Sequence, residues 1–322
     1  MKAYMIAIDG GTTNTRLTLM RGKEIIDRVR ASVGARNAKN GKNEALYEAV
    51  RDGICTLLSK NALSYDDLSH IALSGMIGSE GGLSPIAHIS APVSRKTLGK
   101  ALQVRDFPEI APLPFVFVPG VKTVSDPNAH PLSSLDIMRG EETELFGLLA
   151  DMEVGRRYTF VLPGSHMKIV EVDEDQRITA FRTSMSGELV RAAAENTILA
   201  SSLDGVFPKN ADEAYLKKGY DYALAHGIGE ALFKVRVQAT MLGIATKEQL
   251  YAFLLGAVLR DDVTSILQTG GNIVIAGSNP FRDALATLIS PTASVTVIAP
   301  EVSDHAAARG AYLLTEHLQK NL

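Results

Sequence analysis

The run Asp9-Gly10-Gly11-Thr12-Thr13-Asn14-Thr15-Arg16 puts an acid, two glycines and a block of hydroxyls side by side. It lies between the apolar stretch Tyr4–Ile8 and the alternating stretch Arg16–Arg21, so it reads as the turn of a β-hairpin. Glycines lack Cβ atoms and tolerate positive φ, which lets several backbone N–H groups converge on one anion. In this turn Gly11 gives close backbone approach, Thr12 and Thr13 offer hydroxyl and amide donors to a terminal phosphate, and Asp9 offers hard oxygens to a hydrated Mg²⁺. An ordinary hairpin needs one or two such residues, not an unbroken run.

A second turn, Pro163-Gly164-Ser165-His166-Met167-Lys168, can supply amides from Gly164 and Ser165, with His166 or Lys168 as a cation for the same polyphosphate. A third cluster, Met138-Arg139-Gly140-Glu141-Glu142-Thr143-Glu144-Leu145, opens a helical pattern. Acids in a first helical turn serve the macrodipole, but Glu141 or Glu142 can also take the proton of an attacking alcohol. A fourth, Ile273 to Phe281, runs a buried strand into a Gly277-Ser278 bend at a helix start, where a nucleoside can lie against a glycine.

The elements that must hold these groups repeat. The first half reads as strands Tyr4–Ile8, Arg16–Arg21 and Glu24–Ala31, a helix over Asn43–Lys60, strands at His70–Leu73 and Phe115–Val118, and a helix from about Gly140 to Asp151. The second reads as strands Tyr158–Leu162, Lys168–Val172 and Arg177–Thr183, then a helix over Gly187–Ser201. Helices follow at Asp212–Ala225, Ile228–Leu242 and Lys247–Ile266. The chain closes with a strand at Asn272–Ala276, a helix from Pro280, a strand at Ser294–Ile298 and a helix from about Ser303 to Gln319. Strand–turn–strand–turn–strand–helix in both halves predicts a duplicated α/β unit around a cleft, with domains 1–157 and 158–322 and the last helix, 303–320, packing back at the cleft.

Composition narrows the function. At 322 residues, 46% hydrophobic and 21% charged, the chain fits two globular domains. A net charge of −3 with scattered Lys and Arg speaks against nucleic acid and anionic membrane as partners. The apolar run Leu250–Leu259 is too short to span a bilayer and reads as a buried helix, and no secretory signal precedes Asp9, so a cytoplasmic protein is expected. The lone Cys55 is expected as a reduced core thiol. The two common nucleotide-loop patterns are absent, and the seven histidines lack metal-ligand spacing.

The four clusters in this order resemble the sugar-kinase, Hsp70 and actin superfamily, which implies two ribonuclease-H-like domains, each a mixed five-stranded sheet with helices, and ATP in the cleft. Asp9–Arg16 and Leu162–Lys168 resemble its two phosphate motifs, Ile273–Ser278 its adenosine motif, and Asp304–Ala311 its small-residue connecting helix. The chain is most similar to the 2-dehydro-3-deoxygalactonokinases. It shares with them Ser74-Gly75-Met76-Ile77-Gly78-Ser79, Ile137-Met138-Arg139-Gly140-Glu141-Glu142-Thr143, Leu162-Pro163-Gly164-Ser165-His166 with Lys168, and Met185-Ser186-Gly187-Glu188-Leu189. The resemblance implies an ATP- and Mg²⁺-dependent kinase acting on the 6-hydroxyl of a 2-keto-3-deoxy sugar acid, and a homodimer at the level of the family. Glu141 aligns with the sugar-kinase base, Glu142 standing beside it. Arg16 and Arg139 become the cations for an anionic acceptor, and Gly75, Met76 and Ser79 the sugar-contacting segment. The chain departs from that family at Gly10, where a Trp is typical, and at Asn196-Thr197 in place of His-Ser. Polyphosphate and nucleotide phosphatases of the same fold also accommodate a Gly-Glu-Glu step.

Overall fold

The structure, a computed structural model, describes residues 3–39, 43–124, 126–243 and 245–318. The first pass of the chain forms β1 (Tyr4–Gly10), β2 (Thr15–Arg21), β3 (Glu24–Ala31), α1 (Glu44–Lys60) and β4 (Leu68–Gly75). Then come β5 (Ile89–Ser90), α2 (Arg95–Lys100), β6 (Gln103–Asp106), β7 (Pro114–Phe117), β8 (Val121–Lys122), β9 (Ile137–Met138) and α3 (Glu141–Leu149). The second pass forms β10 (Tyr158–Leu162), β11 (Met167–Val172), β12 (Ile178–Ser184), α4 (Ser186–Asn196), α5 (Ala200–Leu203), α6 (Glu213–His226) and α7 (Ile228–Val237). It ends with α8 (Lys247–Thr269), β13 (Asn272–Ile275), α9 (Phe281–Ile289), β14 (Val295–Val297) and α10 (Pro300–Thr315). The expected end of the last helix, 319–320, lies outside the described residues.

These elements form two compact units. One runs through Val154 and takes in Asp175–Thr179 and the chain from Asp304; the other holds Gly155–Glu174 and Ala180–Ser303.

In the first unit the sheet order is β3-β2-β1-β4-β7-β6. The β1–β2–β3 meander is antiparallel, while β1, β4 and β7 run parallel. β4 is buried at every position, as a central parallel strand must be. β6 makes this sheet six-stranded rather than five. It pairs antiparallel with β7 at the edge, and its four exposed residues carry no apolar alternation that a sequence reading could catch. One face of the sheet (Ile6, Ile8, Leu17, Leu19) packs on Leu46, Val50, Ile54 and Leu57 of α1. The other face, with Met5, Ala7, Met20 and Ala72, is covered by Ala308 and Ala311 of α10. Cys55 is exposed, against expectation: it falls on the outer side of α1, with its sulfur 3.7 Å from the Tyr65 hydroxyl.

The second unit repeats the plan with the order β12-β11-β10-β13-β14, β10 pairing antiparallel with β11 and parallel with β13. Its core is α8, buried from Leu250 through Leu259 as that run predicts, packed with α4, α6 and α9 on the sheet. The helix expected over 187–201 breaks at Thr197. There the hydroxyl donates to the Ala193 carbonyl (2.5 Å) and accepts from the Leu199 N–H (3.1 Å), giving the backbone an alternative to helix. Among the described residues no helix is long and apolar enough to cross a membrane.

Candidate active site

In the first unit the site is built by backbone contacts. Gly75 ends β4 at φ +81°, and a Cβ there would lie 2.5 Å from the Gly10 carbonyl oxygen and 3.1 Å from Asp9 Oδ1. Gly140 precedes α3 at φ +112°, and its Cβ would lie 3.0 Å from Gly75 Cα. Glycines at these places bring the end of β1, the end of β4 and the start of α3 together. At Gly10 a Cβ would sit 2.6 Å from Ile77 Cβ, so Ile77 holds the space that the family's Trp side chain would begin to fill.

The Gly11–Thr12 turn is fastened from behind. Its two carbonyls accept from the amides of Ala35 (3.1 Å) and Arg36 (2.9 Å). Thr12 and Thr13 are exposed, and among the described residues neither backbone amide is given to another group, which leaves both as donors for an anion.

Asp9 stands across from Arg16 on β2 and beside Ser74 on β4, and Arg16 stands across from Arg30 on β3, so the four form one row over four strands. Arg16 donates to a single Asp9 oxygen, Oδ2, from Nη2 (2.8 Å) and Nε (3.2 Å). Its Nη1 lies 3.5 Å from Oδ1 of Asp304 on α10. Asp9 above all holds the Arg16 guanidinium above its ordinary range, with Asp304 and Glu144 adding to it against the cost of burial. A cavity of about 250 Å³ lies over this row, lined by Asp9, Arg16, Arg28, Arg30, Ser74 and Asp304.

The acids that open α3 divide by direction. Gly140 carries no capping side chain, and Glu142 folds back so that both of its oxygens accept from the Gly140 N–H at 2.9 and 2.8 Å. Glu142 is 0% exposed, and burial first, then the Glu141 charge, pushes its carboxyl up to about 8. In this geometry Glu142 is a buried cap on the Gly140 N–H. Glu141 keeps partial exposure and accepts the Arg139 N–H at 3.0 Å. Glu144, one turn on, is pushed up by burial and then by the charges of Asp9 and Glu141, which marks it as a neighbour of both. Sequence reasoning passed over Glu144 as one more acid of a helical first turn.

Arg139 and Ser79 are engaged by carbonyls of the chain itself. Arg139 Nη2 donates to the Ile86 carbonyl (2.5 Å) and lies 3.3 Å from His88 Nδ1, its Nη1 is buried beside Gly78, and burial lowers its pKa. Ser79 Oγ donates to the Met76 carbonyl at 2.6 Å and closes the turn after β4. These residues stiffen the 75–83 segment, and Met76 keeps partial exposure.

The second unit carries its own turn and pocket. Gly164 and Ser165 are exposed after β10, backed by the start of α4: a Cβ on Gly187 would lie 2.1 Å from the Gly164 carbonyl, and the Glu188 N–H donates to the Ser165 carbonyl at 3.1 Å. Gly277, at φ +97° beyond β13, presses on Pro163 with its Cβ position 3.1 Å from the ring, and its N–H donates to Ser303 Oγ (3.0 Å). A pocket of about 400 Å³ opens here, lined by Gly164, Ser165, Phe207, Tyr251, Ser278 and Phe281. His166 is exposed and paired with Glu188 at 3.3 Å. Lys168 is not presented as a phosphate clamp: it is 5% exposed, and its Nζ donates to Thr183 Oγ1 at 2.6 Å inside the sheet.

Comparison with known proteins gives a sequence model of the 2-keto-3-deoxy-galactonokinase family matching residues 9–312. The chain is 29% identical to a 2-dehydro-3-deoxygalactonokinase of Escherichia coli (strain K12) over 272 residues, 83% of this chain and 81% of that one. It is similar in structure to a Sinorhizobium meliloti protein assigned as a 2-dehydro-3-deoxygalactonokinase, with a TM-score of 0.76 and 22% identity over 98% of this chain and 99% of that one. The activator of 2-hydroxyisocaproyl-CoA dehydratase from Clostridium difficile, solved with bound ADPNP, shares the fold at a TM-score of 0.53 and 13% identity, over 99% and 96% of the two chains.

Proposed function

The chain belongs to the 2-keto-3-deoxy-galactonokinase family and is a kinase, and from that premise we propose that it moves the terminal phosphoryl group of ATP to the 6-hydroxyl of 2-dehydro-3-deoxy-galactonate. The observation that carries this reading within the site is the division of the α3 acids, with Glu142 sealed inside and Glu141 left partly exposed at the glycine junction beside Asp9. Glu141 accepts the proton of the 6-hydroxyl as that oxygen bonds to phosphorus and the bond to the ADP oxygen breaks. Thr12 and Thr13 donate to the terminal phosphate, Gly164 and Ser165 to the phosphate chain, and the Ser278 pocket with its aromatic wall takes the nucleoside. The acceptor lies along the Gly75–Ser79 turn, with Arg139 bracing that segment from behind.

Mg²⁺ suits this donor set. Asp9 offers Oδ1, the oxygen Arg16 does not engage, and among the described residues no cluster of three ligand side chains exists. That fits an ion that keeps its waters and leans on phosphate oxygens. When bound, it would neutralise phosphate charge.

The test is ADP release measured with and without 2-keto-3-deoxy sugar acids of both C4 configurations, with the product's phosphorylation site read by NMR. Turnover that requires the galactonate-derived acid and yields its 6-phosphate is expected. ADP release indifferent to every sugar acid would overturn the reading and favour a phosphatase.

A further inference from the structure

Asp9 is asked to hold a cation while the Arg16 guanidinium already sits on its Oδ2. A divalent ion brought to the same carboxylate meets that positive charge at close range, so Arg16 needs somewhere to go. The β3 side is closed to it, because Arg30 stands directly across from Arg16 in the strand register. On the α10 side Asp304 waits at 3.5 Å from Arg16 Nη1. Asp304 is itself moored: Arg28 Nη1 donates to its Oδ2, and Arg28 Nη2 lies 3.5 Å from its backbone carbonyl. Among the described residues Arg28 Nε is buried without a partner, and the hydrogen bonds this side chain makes are those to Asp304.

We propose that Asp304, held in place by Arg28, is the second berth of Arg16, receiving the guanidinium as a divalent cation takes up the Asp9 carboxylate. Asp304 and Arg28 are then positioning residues for metal loading. This rests on the reading of Asp9 as the cation's carboxylate.

The experiment measures the factor by which Mn²⁺ tightens β,γ-imido-ATP, from calorimetric Kd values in excess Mn²⁺ and in EDTA. Asp304→Asn should shrink that factor about fivefold or more, the size of a modest coupling between sites, and Asp304→Glu should restore most of it. Arg28→Gln should shrink the factor too, because Asp304 loses its mooring. A negative field acting at a distance predicts the reverse for Arg28→Gln, since deleting a cation would favour the metal. An Arg28→Gln factor equal to or above that of the unaltered protein, or an unchanged factor in Asp304→Asn, overturns the proposal. Asp9→Asn tests the premise: a factor that survives it removes the Asp9 reading, and the berth with it. The Asp304 and Arg28 side chains are 53% and 32% exposed, so the variants at these two positions should keep the melting temperature of the unaltered protein.

Discussion

Glu141 and Glu142 are adjacent in sequence and opposite in situation, and substitution should separate them. Glu141→Gln is expected to lower kcat by about 10²–10⁴, the usual worth of a positioned base, with the calorimetric Kd for β,γ-imido-ATP unchanged. Glu142→Gln keeps a side-chain acceptor for the Gly140 N–H and carries no charge into the interior, so kcat should stay within about threefold and stability within about 1 kcal/mol. Equal losses of kcat in the two variants would refute the assignment. The doubled acid was legible in the sequence; which of the pair faces inward was not, because that depends on the positive φ of Gly140. A second residue-scale consequence belongs to His70 in β4, fully buried between Ser69 Oγ (3.0 Å from Nδ1) and Thr315 Oγ1 (2.9 Å from Nε2). Burial, then the charge of His317, lowers its pKa to about 4. The unfolded chain, with its histidine near 6.5, therefore binds the proton first as pH falls. The stability from neutral His70 is intact above 6.5 and is lost progressively down to 4, by about 2 kcal/mol at pH 5 relative to pH 8. Urea unfolding at the two pH values measures the loss, and the His70 ring resonances should not titrate above pH 5.

Helices that cross on glycine carry their own prediction. Gly147 of α3 and Gly310 of α10 meet so closely that added Cβ atoms would fall 2.0 Å from the Ala306 carbonyl and 1.8 Å from the Thr143 carbonyl. Gly219 of α6 and Gly256 of α8 cross in the same way, at 2.0 Å from each other's helix backbone. Gly147→Ala or Gly256→Ala should each cost about 1–3 kcal/mol as the helices are forced apart, despite alanine's better helix propensity. Denaturant midpoints decide it; a midpoint that rises would show that the crossing has slack. At this scale the sequence was legible wherever a period ran long enough. The β1–β2–β3 meander, α1 and α8 all show in it. Between 89 and 138 β7 showed, as the strand expected at Phe115–Val118, but its neighbours did not, because β5, β8 and β9 are two residues each and β6 has no buried face. α7 stops at Val237 and passes into a π-helical turn, Gln238–Leu242, that no periodicity distinguishes from α-helix.

For the whole molecule the informative fact is that each unit pairs its first strand antiparallel with the second and parallel with the next neighbour in the sheet. That repetition could be read from the order of predicted elements, although the two halves share little sequence. A ligand bound only by the folded protein stabilises it by about 2.7 kcal/mol at a hundredfold excess over Kd. β,γ-imido-ATP with Mg²⁺ and the galactonate-derived acid should therefore each raise the melting temperature by on the order of 5 °C. Calorimetric scans that neither ligand moves would count against both pockets as binding sites. Each unit also sets a positive-φ glycine after the parallel neighbour of its first strand, Gly75 on Gly10 and Gly277 on Pro163. A side chain has rotamers, whereas the Gly75 and Gly10 main chains pressed together have none, so the groups proposed to react near them would inherit the precision of the backbone. For anyone seeking to retune the enzyme, the room for change lies in partly exposed side chains such as Met76. In a selection for new sugar acids, Gly10, Gly75, Gly140 and Gly277 should come through unaltered.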